Sequence, residues 1–111
     1  MNELDKLRQM LTDAGIPFES YEELYPDDVF KIIPFVPRCD AERYSRNQII
    51  YGRTGSNIWK LDAILQRGSY GRYEGKIEIW GALVKGDPIV ATAAEAFERI
   101  KADFNKERDE K

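Results

Sequence analysis

Ile58-Trp59-Lys60-Leu61-Asp62-Ala63-Ile64-Leu65-Gln66 decides the fold. Trp59, Leu61, Ala63 and Leu65 alternate with Lys60, Asp62, Ile64 and Gln66, so one face is apolar and the other mixed. Successive side chains of a strand point to opposite sides, and this alternation is what a half-buried antiparallel strand requires. Upstream, Asn47–Tyr51 reads as a strand, joined to the first by the turn chemistry of Arg53-Thr54-Gly55-Ser56-Asn57. Downstream, Gly68, Gly71 and Gly75 punctuate a loop before a third strand, Lys76–Leu83, with Ile77 and Ile79 on one face and Glu78 and Trp80 on the other. With Gly55 at the centre of the first turn, Tyr51 faces Trp59, Ile49 faces Leu61 and Gln48 faces Asp62. In the second hairpin, keeping the apolar faces together sets Asp62 opposite or diagonal to Glu78. The expected core side is Ile49, Tyr51, Trp59, Leu61, Ala63, Ile77 and Ile79.

Helices flank this meander. In residues 3–14, Leu4, Leu7, Leu11 and Ala14 recur at helical spacing, Asn2 suits the N-cap, and Gly15 with Pro17 ends the run. A second helix is expected over about residues 93–105, with Ala93, Ala96, Phe97, Ile100 and Phe104 as its apolar stripe. Thr92 and Glu95 form a capping box at its start, the hydroxyl accepting from the third helical amide and the carboxylate reaching back. Residues 107–111 are charged and expected to fray. Residues 18–46 are harder to read: Phe18–Tyr21 suits a short strand, and Pro34 interrupts the β-forming run Phe30–Val36. The fold expected is α+β, α-β-β-β-α: a three-stranded antiparallel meander with both helices on one face, and an extra edge strand available from residues 18–36. It forms a single domain over residues 1–111.

Composition narrows the chemistry. The chain has one cysteine and no histidine. An intrachain disulfide, a Ser–His–Asp or Cys–His arrangement and a Cys/His zinc site are therefore unavailable within it. Cys39, with no histidine to activate it, reads as an inert thiol. No enzyme activity, cofactor or metal is expected. The acidic start lacks the charge pattern of a signal peptide, and no apolar run spans a bilayer, so a cytoplasmic protein without membrane contact is expected.

Charge is unevenly spread. Residues 1–30 carry eight acids and two bases, residues 31–73 eight bases and three acids, and residues 74–111 nine acids and seven bases. The acidic stretch containing Glu22, Glu23, Asp27 and Asp28 suits a basic partner surface, or is a solvated loop. Tyr70 and Tyr73 sit in a hairpin loop and suit partner contact; the loop lacks the Gly-Lys-Ser/Thr ending of a phosphate loop. Trp80, on the outer face, is either covered by residues 18–46 or anchors a partner. Arg38, Arg43, Arg46, Arg53, Arg67 and Arg72, interleaved with aromatic residues, suit single-stranded nucleic acid. They equally neutralise the acidic third, within the chain or across a homo-oligomer. Asp62 and Glu78 share the outer face; a hard cation or acid–base work would use such a pair. The ordinary alternative is a solvated face on which Lys60 and Lys76 balance them.

The runs Gln48-Ile49-Ile50-Tyr51-Gly52, Trp59-Lys60-Leu61-Asp62-Ala63-Ile64 and Gly68-Ser69-Tyr70-Gly71 resemble a family of small uncharacterised proteins encoded by phages and prophages. Gly75, Ile77-Glu78-Ile79, Gly81, Leu83, Thr92-Ala93, Glu95, Phe97 and Ile100 extend the resemblance over roughly residues 47–100. Members typically enter the last helix through Leu-Thr-Ala-Glu; Ala91-Thr92-Ala93-Ala94-Glu95 departs from that by one residue. The resemblance implies no catalytic residue. It implies an accessory protein of a bacterial host's cytoplasm that works by protein–protein binding, for instance by inhibiting a host defence protein. Nucleic-acid binding through residues 38–72 is the alternative.

Overall fold

The computed structural model describes residues 1–32 and 39–109. The chain runs α1 (Glu3–Asp13), β1 (Glu19–Leu24), α2 (Asp27–Ile32), β2 (Tyr44–Tyr51), β3 (Leu61–Ile64), β4 (Ile77–Trp80), β5 (Ile89–Ala91) and α3 (Ala93–Asp109), with single 3-10 turns at Asp40–Arg43 and Arg72–Glu74. The strands form one antiparallel sheet in sequential order. The α+β class and the helices at both ends are as expected, but the sheet has five strands rather than three. The strand available from residues 18–36 forms as β1, at one edge. At the other edge β5 was not foreseen, because three residues behind Pro88 are too short to show alternation.

Ile49, Tyr51, Leu61, Ala63, Ile77 and Ile79 are buried on one side of the sheet, packed with Leu4, Leu7 and Leu11 of α1 and Ala93, Ala96 and Ile100 of α3. Asn2 caps α1 by accepting from the Asp5 amide at 2.8 Å. Arg8 fastens α1 to the sheet: its guanidinium donates to Ser20 Oγ, the Tyr21 carbonyl and Asn47 Oδ1 at 2.7, 3.1 and 2.6 Å. At α3, the Glu95 amide donates to Thr92 Oγ1 as a capping box requires, but the Glu95 carboxylate takes the Thr92 hydroxyl instead of reaching the backbone. The helix continues past residue 105 to Asp109.

Trp59 is the one expected core residue that is not there. The actual register pairs Tyr51 with Leu61, Ile49 with Ala63, Ile50 with Asp62 and Gln48 with Ile64. This is two residues away from the expected pairing. A shift of two preserves which face each side chain takes, so the apolar side survives intact. The cause is the connection. Gly52 turns out of the ladder at φ 71, and a small nested turn, with Gly55 bridged to Ile58 and the Thr54 amide donating to the Ile58 carbonyl at 2.8 Å, absorbs the extra residues. Trp59 is left outside β3.

β4 ends at Trp80 rather than Leu83. Gly81 takes φ 127, and the chain folds back so that the Leu83 amide donates to the Lys60 carbonyl at 2.8 Å. Residues 27–32 form α2, with Asp27 and Asp28 in its first turn, where acids suit the helix dipole. This corrects the extended conformation expected from Phe30 onward; Pro34 and Arg38 lie outside the described residues.

Candidate site on the outer sheet face

Strand alternation puts Tyr21, Arg46, Gln48, Ile50, Asp62, Ile64, Glu78, Trp80 and Val90 on the side of the sheet away from α1 and α3. Its β4–β5 end is open to solvent: Trp80 is 49% exposed and Val90 40%. Tyr70 stands beside them, its amide donating to Glu78 Oε1 at 2.9 Å. Gly71 is essential to this arrangement, since a Cβ there would lie 2.6 Å from Val90 Cγ1. The Trp80 indole is fixed by donating to the Gly86 carbonyl at 3.2 Å. Trp80 and Val90 thus share this face with Glu78, whose carboxylate holds the Tyr70 backbone.

Asp62 lies at the inner border of this patch, paired across the strands with Ile50 and Trp80. Only 8% of it is exposed. Gln48 Nε2 donates to Oδ2 at 2.9 Å, while Oδ1 is buried and has no hydrogen-bond partner. Burial pushes the carboxyl above its ordinary range; Gln48 and the nearby Trp59 indole pull the other way, and the Glu78 charge adds to the rise. Such a group is costly to keep ionised, and natural structures normally satisfy it.

The ordinary reading of Asp62 and Glu78 needed Lys60 and Lys76 as counter-charges. Both are otherwise engaged. Lys60 Nζ bonds Asp103 at 2.9 Å and also Glu107, and Tyr51 Oη donates to the same Asp103 at 2.7 Å. Desolvation and the Asp103 carboxylate together push the Tyr51 phenol well above its usual range. Lys76 lies 3.6 Å from Glu74. Asp62 and Glu78 are diagonal neighbours, as expected. Among the described residues no group of three or more Cys, Asp or Glu side chains gathers to hold a metal.

The remaining expected contact residues are scattered. Glu22 and Glu23 are exposed on β1, at the opposite edge from Trp80, with Asp27 and Asp28 on α2 beyond them. Tyr73 lies on the Arg72–Glu74 turn, where Arg72 donates to its hydroxyl at 3.1 Å. The Tyr70 backbone is tied to Glu78, two residues before Trp80 on β4, whereas the acidic stretch lies on β1 and α2. The expected nucleic-acid contacts also separate. Arg72 bonds the buried carboxylate of Glu42, and Arg67 approaches it at 3.7 Å. Arg53 bonds Glu19 at 2.6 Å, Arg46 lies 3.6 Å from the Tyr21 ring centroid, and Arg43 is exposed at the end of the Asp40–Arg43 turn.

Sequence reasoning took Asp62 for a solvated residue. The available signal was Ile50 and Ile64: two isoleucines in outward phase announce that part of the outer face is dry, and Ile50 is 2% exposed. No family model matches the chain, and no curated protein or solved structure matches it either.

Proposed function

We propose that the chain is a non-enzymatic protein-binding module that meets its partner through the β4–β5 end of the outer sheet face. Its carrying observation is Trp80: half exposed, held in place by the Gly86 carbonyl, and on the same sheet face as the exposed Val90. An indole already fixed loses little conformational freedom on binding, and tryptophans of this kind dominate interface energetics. That the partner is a bacterial host protein, such as a component of antiviral defence, is drawn from the phage-protein resemblance alone.

Nucleic acid bound by the basic middle segment has less to draw on. Arg53, Arg67 and Arg72 have carboxylates beside them, and Arg46 is stacked on Tyr21. Releasing phosphate counter-ions needs cations presented to solvent along one track. The test is capture from bacterial lysate on the immobilised chain, with single-stranded oligonucleotide binding at low salt in parallel. Specific retention of a protein, lost on Trp80→Ala, supports the proposal; salt-dependent oligonucleotide binding with no retained protein overturns it.

A further inference from the structure

We propose that the chain forms a twofold dimer by pairing β5 antiparallel with β5 of a second copy, with Val90 on the axis. The pairing is independent of the protein-binding proposal. Among the described residues β5 pairs only with β4, so its far side presents backbone N–H and C=O groups that no strand takes up. Such an edge is matched by another extended strand. Apolar side chains are exposed on both faces of it: Ile89 on the core side, 37% exposed, and Val90 on the outer side, 40% exposed. A further strand would continue the ladder and the core together.

The other edge of the sheet is built against such pairing. β1 carries Glu19, Glu22 and Glu23, and its register breaks between Glu23 and Leu24. Two copies of β1 paired about Tyr21 would set Glu19 against Glu23, like charge on like charge. Charges and bulges are how natural sheets keep their edges apart. Residues 88–92 carry no charge at all.

The flanks of β5 leave one register. A continuous twofold sheet keeps each face together, so the axis passes through residue 89, 90 or 91. With the axis at Ile89, Pro88 would enter the ladder opposite Val90, and a proline inside a central strand is avoided. With the axis at Ala91, Thr92 and Ala93 would have to be strand. The Thr92 carbonyl instead accepts from the Ala96 amide at 3.1 Å, and Ala93 opens α3. The axis at Val90 uses all three residues of β5 and none beyond. It sets Val90 against its own copy and Ile89 against Ala91, whose small side chain leaves room for the exposed isoleucine. One patch meeting itself closes the assembly at two copies. Trp80 lies on β4, outside the pairing, so the dimer carries the proposed binding face twice.

Three residue pairs bury less than the roughly 1,000 Å² that a permanent interface clears, so association is weak, with a Kd of about 0.1 mM. The test is sedimentation of the full chain from about 5 μM to about 1 mM, which brackets that value. Expected are a monomer at the low end and mostly dimer at the high end. Val90→Lys, at a half-exposed position, sets two like charges on the axis and is expected to leave a monomer throughout. The register is tested by disulfide trapping in a Cys39→Ser background, with oxidised glutathione as the oxidant. Val90→Cys is expected to form a covalent dimer. Ile89→Cys, which faces Ala91 rather than itself, and Leu24→Cys on the opposite edge are expected to trap about tenfold less. A native chain that stays monomeric at about 1 mM, a dimer that persists in Val90→Lys, or trapping at Ile89 or Leu24 equal to that at Val90 would each overturn the pairing. Should Val90→Lys fail to fold by circular dichroism, the trapping series decides. Partner capture by a chain that stays monomeric removes the dimer and leaves the binding face standing.

Discussion

Replacing Asp62 by asparagine removes a charge at a position 8% exposed while keeping the shape of the side chain. The Gln48 amide, which donates to Oδ2 at 2.9 Å, finds an equivalent oxygen on the asparagine. In the folded chain burial raises the Asp62 carboxyl above its ordinary value, so the folded state binds this proton more tightly than the unfolded state. Below the unfolded value, about 4, both states are protonated and folding carries no penalty. As pH rises, the unfolded chain gives up the proton first. The penalty therefore grows from about pH 4 upward and levels off above the folded value. A buried polar atom without a partner costs about 1–3 kcal/mol, and more when charged. Exchanging the carboxylate for an amide should recover about 1 kcal/mol at neutral pH, a rise in Tm of about 4 °C for a domain of this size. Thermal unfolding followed by circular dichroism at about pH 7 and about pH 3 measures both halves of the expectation. The Asp62→Asn chain should be more stable than the native one at neutral pH and equal to it at acid pH. A less stable variant at neutral pH, or a gain independent of pH, would refute the reasoning.

Gly81→Ala places a Cβ 2.6 Å from the Lys60 carbonyl oxygen at a backbone φ of +127°, and urea titration should show a loss of about 2–4 kcal/mol. Glu42→Gln weakens the contacts to Arg72 and Arg67 at a side chain only 5% exposed, and should cost about 2 kcal/mol at neutral pH. Hydrogen bonding from Arg72 holds the Glu42 carboxyl below its ordinary range, so its contribution is full above the unfolded value, about 4.3, and is lost as pH falls through the lowered one. Stability curves of native and Glu42→Gln chains should therefore converge in acid.

The apolar side of the sheet was legible because Leu61, Ala63, Ile77 and Ile79 alternate, and alternation fixes a face whatever the register. The two-residue register difference was not legible, because it arises in the Gly52–Lys60 connection, where a nested turn uses chain length that a simple hairpin would not. Trp59 was misplaced for that reason alone. Both terminal helices were readable from their leucine and alanine stripes and from Asn2 and Thr92. α2 and β5 are six and three residues long, shorter than the window in which periodicity can be seen. Of the site, Trp80 and Tyr70 were legible as outward aromatics. The missing counter-charge of Asp62 was not, because it depends on where Lys60 goes. A lysine two residues away in sequence is the natural counter-charge, and only the packing of α3 brings Asp103 and Glu107 close enough to claim it.

The most direct measurement of the central claim is the affinity of a captured partner for two variants side by side: Trp80→Ala, and the double substitution Glu22→Gln with Glu23→Gln at the far edge of the sheet. Trp80→Ala should weaken binding by about thirtyfold, equivalent to about 2 kcal/mol, and the acidic-edge variant should bind as the native chain does. Native affinity in Trp80→Ala, or loss confined to the acidic edge, would contradict it.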